Sequence, residues 1–207
     1  MYEKAGNNWP EESDKDPQGR IQSLDQLKEW LASQGIDKSR WGHGQAKTLE
    51  CLWEEMVDGE TGIQDNPALR IVPVTQVIIR RGDEILIETE QEFGDKRKRP
   101  RNHPPSEKIR RDETYIDAAI RCLQEELGLA RQDIDIIDST YRQTLKELES
   151  PSYPGLFTRY IFHIVEARVS GLPDANFWTH ESTRNGKDLV RKHHWIWRPQ
   201  TDGSSNM

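Results

Sequence analysis

The stretch from Glu107 to Leu129 reads Glu-Lys-Ile-Arg-Arg-Asp-Glu-Thr-Tyr-Ile-Asp-Ala-Ala-Ile-Arg-Cys-Leu-Gln-Glu-Glu-Leu-Gly-Leu and constrains the fold more than any other part of the chain. Thr114 followed by Asp117 is a capping pair at a helix start. Ile116, Ile120, Leu123 and Leu127 then recur at helical spacing, which predicts a buried stripe. Cys122, Glu125 and Glu126 share a different face, and Arg121 precedes Glu125 by one helical turn. Adjacent carboxylates repel unless something positive sits between them. A hard divalent cation such as Mg²⁺, which takes oxygen ligands and tolerates several waters, is one solution. A solvated salt-bridge network is the plainer alternative.

The same stretch resembles the Nudix box. Glu113, Arg121, Leu123, Glu125, Glu126, Gly128 and Leu129 match the pattern in register, and two positions depart from it. Glu107 stands where the pattern has its leading Gly, and Cys122 where it has the Glu after the Arg. The resemblance spans Leu69 to Arg198. It implies a Nudix α/β/α sandwich with a mixed sheet, Mg²⁺ or Mn²⁺ as cofactor, Glu125 and Glu126 as metal ligands, and Arg121 orienting the acids. The missing Glu would help hold metal. A thiol is a poor ligand for Mg²⁺, and acidic neighbours keep it protonated, so Cys122 is expected to be small, neutral and half-buried. Before the box the family carries Pro-Gly-Gly, and this chain has Pro105-Ser106-Glu107. Glycine there would allow positive φ and close approach to substrate. Ser106 and Glu107 remove that freedom, and Glu107 adds a charge that repels phosphate.

At 207 residues, one domain with an extension is expected. The net charge of −7 argues against a surface given over wholly to nucleic acid. Two cysteines in unrelated segments, Cys51 and Cys122, build neither a disulfide framework nor a zinc motif. With no membrane-length apolar run and no secretory plan at the N-terminus, the expected location is intracellular, cytoplasmic or organellar.

Residues 1–20 are polar and read as a flexible start, with Trp9 as an apolar exception that docks elsewhere. Residues 21–66 read as a helical extension. Ser23 to Gln34 is a helix capped by Ser23 with Gln26, and Gly35 ends it. Trp41-Gly42-His43-Gly44 is a turn, and Ala46 to Val57 a second helix. These helices are too small to fold alone and must pack on something. Residues 67–198 form the Nudix-like domain. Arg70–Arg81 and Ile85–Ile87 make a hairpin about Gly82-Asp83. Ile134–Leu148 is a strand, Phe157–Val169 a central strand apolar on both faces, and His194–Trp197 a short late strand. Residues 199–207 read as a disordered tail.

Between them lies a basic stretch from Lys96 to Arg111, read as a long loop. Arg99, Arg101 and Lys108 are its candidate phosphate-binding residues. The plainer reading is a solvated loop balancing nearby acids. The Ser150–Gly155 segment reads as a proline turn. His193 and His194 point to opposite faces of a strand, so the pair reads as structural rather than metal-binding.

Three functions follow. The first is a Nudix-fold protein with a degenerate box, weakly active or inactive, that binds a phosphate-bearing ligand or serves as a protein subunit. The second is an active Mg²⁺-dependent pyrophosphohydrolase, with Arg121, Glu125 and Glu126 catalytic and a base from outside the box, Glu147 or Glu149. The third, an RNA-binding accessory protein, rests on the basic stretch alone.

Overall fold

The computed structural model describes residues 21–44, 46–181 and 190–200. The flexible start, the docking of Trp9 and residues 201–207 of the tail lie outside the described residues. The fold is α/β on a mixed sheet. Three α-helices are described, α1 (Leu24–Ser33), α2 (Leu49–Val57) and α3 (Tyr115–Leu127). The strands are β1 (Gly62–Gln64), β2 (Leu69–Arg81), β3 (Glu84–Phe93), β4 (Lys98–His103), β5 (Ser106–Lys108), β6 (Ile134–Glu149), β7 (Phe157–Val169), β8 (Phe177–His180) and β9 (Val190–Pro199). The sheet order is β6-β7-β2-β3-β9-β8, with β1 and β5 on β2 and β4 on β3.

Local chemistry explains the element ends. Ser23 Oγ accepts the Gln26 N–H at 3.2 Å and Gln26 Oε1 accepts the Gln22 N–H at 2.6 Å, which starts α1 where the capping pair predicts. Helix α2 begins at Leu49 rather than Ala46, because Thr48 takes the cap and accepts the Cys51 N–H at 3.3 Å.

The basic stretch is not a long loop. Its centre is strand β4, antiparallel to β3, with Lys98 opposite Glu92, Arg99 opposite Gln91 and Pro100 opposite Glu90. The cause is charge. Strand β3 carries Glu88, Glu90 and Glu92, so a cation-rich strand finds counter-charges across the ladder, Lys98 to Glu90 at 2.8 Å and Arg101 to Glu88 at 3.0 Å. The late strand is also longer than expected. It runs antiparallel along all of β3, from Glu84 opposite Pro199 to Phe93 opposite Val190. Strands β1 and β8 were not anticipated.

The described chain divides into two compact units. The first comprises the residues up to Val74, Lys108–Tyr115 and Gln143–His163. Its core joins Leu27 and Leu31 of α1 and Leu52 and Met56 of α2 to Trp41, Ile63, Tyr153 and Leu156. The Trp41 indole donates to the Pro154 carbonyl at 2.9 Å, and its ring lies 5.1 Å from that of Tyr153. The helical extension therefore buries its stripes against the Ser150–Leu156 turn. Buried Glu55 binds Arg70 at 2.5 Å, Lys108 at 2.8 Å and Lys47 at 2.9 Å. Burial alone would raise the Glu55 pKa, but the three cations hold it well below the carboxylate range.

The second unit comprises Thr75–Glu107, Ile116–Arg142 and the residues from Ile164 onward. Its core packs Ala119, Leu123 and Leu127 of α3 on Val77, Ile79, Leu86, Ile134, Val165, Ala167 and Trp195. Each large aliphatic side chain buried here contributes about 1.5–3 kcal/mol.

Candidate active site on the box helix

Helix α3 is the helix expected over the box. Gly128 ends it in the left-handed region at φ 70°, and its N–H donates to the Gln124 carbonyl at 3.1 Å. An L side chain is strained there, which explains the glycine. The buried arc of α3 is wider than the expected stripe. Ala118, Ala119, Cys122, Leu123, Glu126 and Leu127 are all buried, whereas Ile116 and Ile120 are half-buried.

Cys122 is thus fully buried rather than half-buried, at 0% exposure. Burial, then the Glu126 and Glu107 charges, push its thiol pKa well up, so it is neutral as expected. Glu126 is 5% exposed, and its Oε2 has no hydrogen-bond partner. Burial raises its pKa well above the usual carboxylate range. The charges of Glu88, Glu107 and Glu181 add to the rise, and His193 opposes it.

The centre of charge lies one layer away, on the sheet. Nδ1 of His193 is 2.6 Å from Glu88 Oε1, and Nε2 is 3.1 Å from Glu181 Oε2. Two carboxylates facing both ring nitrogens require both to donate, so His193 is an imidazolium. Burial alone would lower its pKa; the bonds to Glu181 and Glu88 override that and raise it to about 10. Arg101 closes the other side of Glu88, bonding Oε2 at 3.0 Å. Thr179 joins the cluster to the helix: it donates to the Glu126 carbonyl at 2.5 Å and accepts from the Trp195 indole at 2.8 Å.

The residues singled out from sequence fall as follows. Arg121 reaches Glu125 at 3.4 Å on the less buried side of α3. Arg101 lies on Glu88, Arg99 bonds Gln91 Oε1 at 3.0 Å, and Lys108 belongs to the first unit, on Glu55 and Glu60. Glu147 is bound by Arg159 at 2.6 Å, and Glu149 by Arg40 and the Gly155 N–H, all within the first unit. Ser106 and Glu107 lie in extended β5, and neither has a positive φ. Sequence reading missed Glu88, Glu181 and the role of His193. The His193-His194 dipeptide was a visible signal, and the two do face opposite ways: His194 bonds Thr89 Oγ1 at 2.7 Å.

The NUDIX domain profile matches residues 69–185. The chain belongs to the NUDIX family. Two crystal structures of a C. elegans Ap4A hydrolase are distantly similar to this NUDIX protein. The binary complex shares 15% identity over 60% of this chain and 77% of that chain, with a TM-score of 0.33. The other shares 18% over 61% and 79%, with a TM-score of 0.31. No curated protein matches the chain.

NUDIX hydrolases generally use divalent metals such as Mg²⁺. The donor set of this box departs from a hard-cation site at one position, Cys122. Cys122 offers a buried thiol, Glu126 is buried, and Glu125 is paired with Arg121. Among the described residues no three His, Cys, Asp or Glu side chains converge to hold a metal ion.

Proposed function

We propose that this protein is a NUDIX-fold protein whose box has lost efficient pyrophosphohydrolysis and which binds a phosphate-bearing ligand or a protein partner. The observation that carries this reading is the box face itself: a fully buried Cys122 thiol at a position where the pattern has a carboxylate, beside a buried Glu126. A hard cation prefers oxygen ligands, and this face presents a thiol in place of one of them. The extended Ser106-Glu107 backbone supports it, since Glu107 brings a further negative charge toward Glu126.

A Mg²⁺-dependent pyrophosphohydrolase is the second reading. It is favoured by the concentration of Glu88, Glu107, Glu126 and Glu181, whose mutual repulsion an added cation would relieve. RNA binding through the basic stretch gains less support, because Lys98, Arg99 and Arg101 bond to Glu90, Gln91 and Glu88.

A phosphate-release screen separates the readings. The purified protein, given Mg²⁺ or Mn²⁺ and a panel of nucleoside diphosphate derivatives, is expected to show little turnover. Robust turnover that disappears in Glu126→Gln would establish the second reading.

A further inference from the structure

Strand β6 ends the sheet path, with β7 on one side and no described strand on the other. Among the described residues its outer edge therefore offers a row of backbone N–H and C=O groups that no ladder uses. The open stretch is long. Every residue from Tyr141 to Glu147 is exposed, so neither face of the strand is covered there. Leu145 stands in water at 64% exposure.

Side chains alternate along a strand, so Arg142, Thr144 and Lys146 share one face, and Leu145 and Glu147 lie on the other. The acids of this stretch are already answered. Arg159 bonds Glu147 at 2.6 Å, and Arg40 bonds Glu149 at 3.3 Å. The cations are not. Neither Arg142 nor Lys146 enters an ion pair or hydrogen bond among the described residues, and both are exposed. The open edge thus carries two unanswered positive charges on one face and a bare aliphatic side chain on the other.

That pattern selects the occupant. A second copy of the strand fits poorly: two-fold pairing about any point between Arg142 and Lys146 brings these cations opposite or diagonal to those of the other copy. A strand with acids at the facing positions meets them with opposite charge, which favours pairing. Its backbone completes the ladder, and an aliphatic residue on its other face covers Leu145. We propose that the open edge of β6 takes up an extended acidic segment of a partner protein as an added antiparallel strand, with two carboxylates facing Arg142 and Lys146. The strand addition is independent of the box chemistry, so turnover in the phosphate-release screen would leave it untouched.

Fluorescence anisotropy of a labelled Thr-Glu-Val-Thr-Val-Glu-Thr peptide, titrated with the full chain, tests this. A Kd of about 10–100 µM is expected. Two comparison peptides separate charge from strand addition. One carries Lys in place of both Glu. The other keeps both Glu but has Pro-Pro for its first Val and central Thr, which removes an N–H that must face β6. Each should bind about tenfold or more weakly. The double variant Arg142→Glu with Lys146→Glu should reverse the charge preference and bind the Lys peptide better than the Glu peptide. Both residues are exposed, so folding should survive, which circular dichroism checks. Absence of binding up to about 1 mM overturns the proposal. So does a Pro-Pro peptide that binds as tightly as the parent, or a folded double variant with unchanged preference. A full chain that dimerises in sedimentation and shuts the peptide out gives the edge to a second copy and overturns it as well.

Discussion

His193 and Glu88 meet diagonally across the β3–β9 ladder at 2.6 Å, Glu88 being opposite Trp195 and His193 opposite Gln91, and neither side chain is more than 2% exposed. The pair holds Glu88 below its usual value even though burial alone would raise it. With Glu181 on the other ring nitrogen and Arg101 on the other carboxylate oxygen, the second unit carries a buried ion network beside its hydrocarbon core. Removing one partner leaves an uncompensated buried charge, which costs far more than the intact network contributes.

Stability should therefore fall toward alkaline pH. The His193 pKa is raised from 6.5 to about 10, so its contribution is fully present below about pH 6.5 and fades as pH rises through about 10. Glu88 is lowered from 4.5, so its contribution is present above about pH 4.5 and fades as pH falls. In denaturant unfolding, the contribution of this pair should be level between those limits and decline above them. His193→Gln should lose about 3–5 kcal/mol on the plateau and show a much flatter alkaline limb. Equal alkaline slopes in the two proteins would mean that the imidazolium is not what titrates.

Glu126→Gln should not destabilise the protein. Burial, followed by the Glu88 charge, raises the Glu126 pKa, so the fold favours the protonated form and is penalised above about pH 4.5. Glutamine has the same shape and no proton to lose. The variant should match the wild type near about pH 4 and be the more stable of the two near about pH 8. A loss of stability at the higher pH would show that Glu126 is ionised and paired, and would weaken the reading of a degenerate box.

Glu55→Ala should be among the most damaging changes in the first unit. It leaves Arg70, which is 3% exposed, without its carboxylate, and removes the anion that also holds Lys47 and Lys108. A cost of about 3–5 kcal/mol is expected in denaturant unfolding. A cost under about 1 kcal/mol would mean that water reaches Arg70 and replaces the pair.

The elements legible in the sequence are those written in local chemistry. The Ser23 cap, the Gly82-Asp83 turn and the box helix are each decided by residues within a few positions of one another. What was not legible depends on partners far along the chain. Lys98–His103 looks like a loop until Glu88, Glu90 and Glu92 are placed beside it. Glu88 and His193 are separated by 105 positions, so the network exists only once β9 lies on β3. Periodicity marked one apolar stripe on α3. It could not show that the Ala118–Cys122–Glu126 line is covered as well, because a carboxyl in a buried row runs against the hydrophobic pattern.

Cys122→Glu is the sharpest test of the box. The change restores the family's third acidic position at a site with 0% exposure, beside Glu126. Without metal it buries another carboxyl among Glu126, Glu107 and Glu88, and should cost about 3 kcal/mol or more in unfolding free energy. If the face is a NUDIX metal site that lost one ligand, millimolar Mg²⁺ or Mn²⁺ should recover part of that loss, because an ion that binds only the folded state stabilises it by mass action. The wild type should respond much less to the same ions. Activity need not return, since Ser106 and Glu107 still occupy the glycine positions. A variant whose melting temperature ignores both metals would show that the box helix keeps the family's fold signature without its metal site.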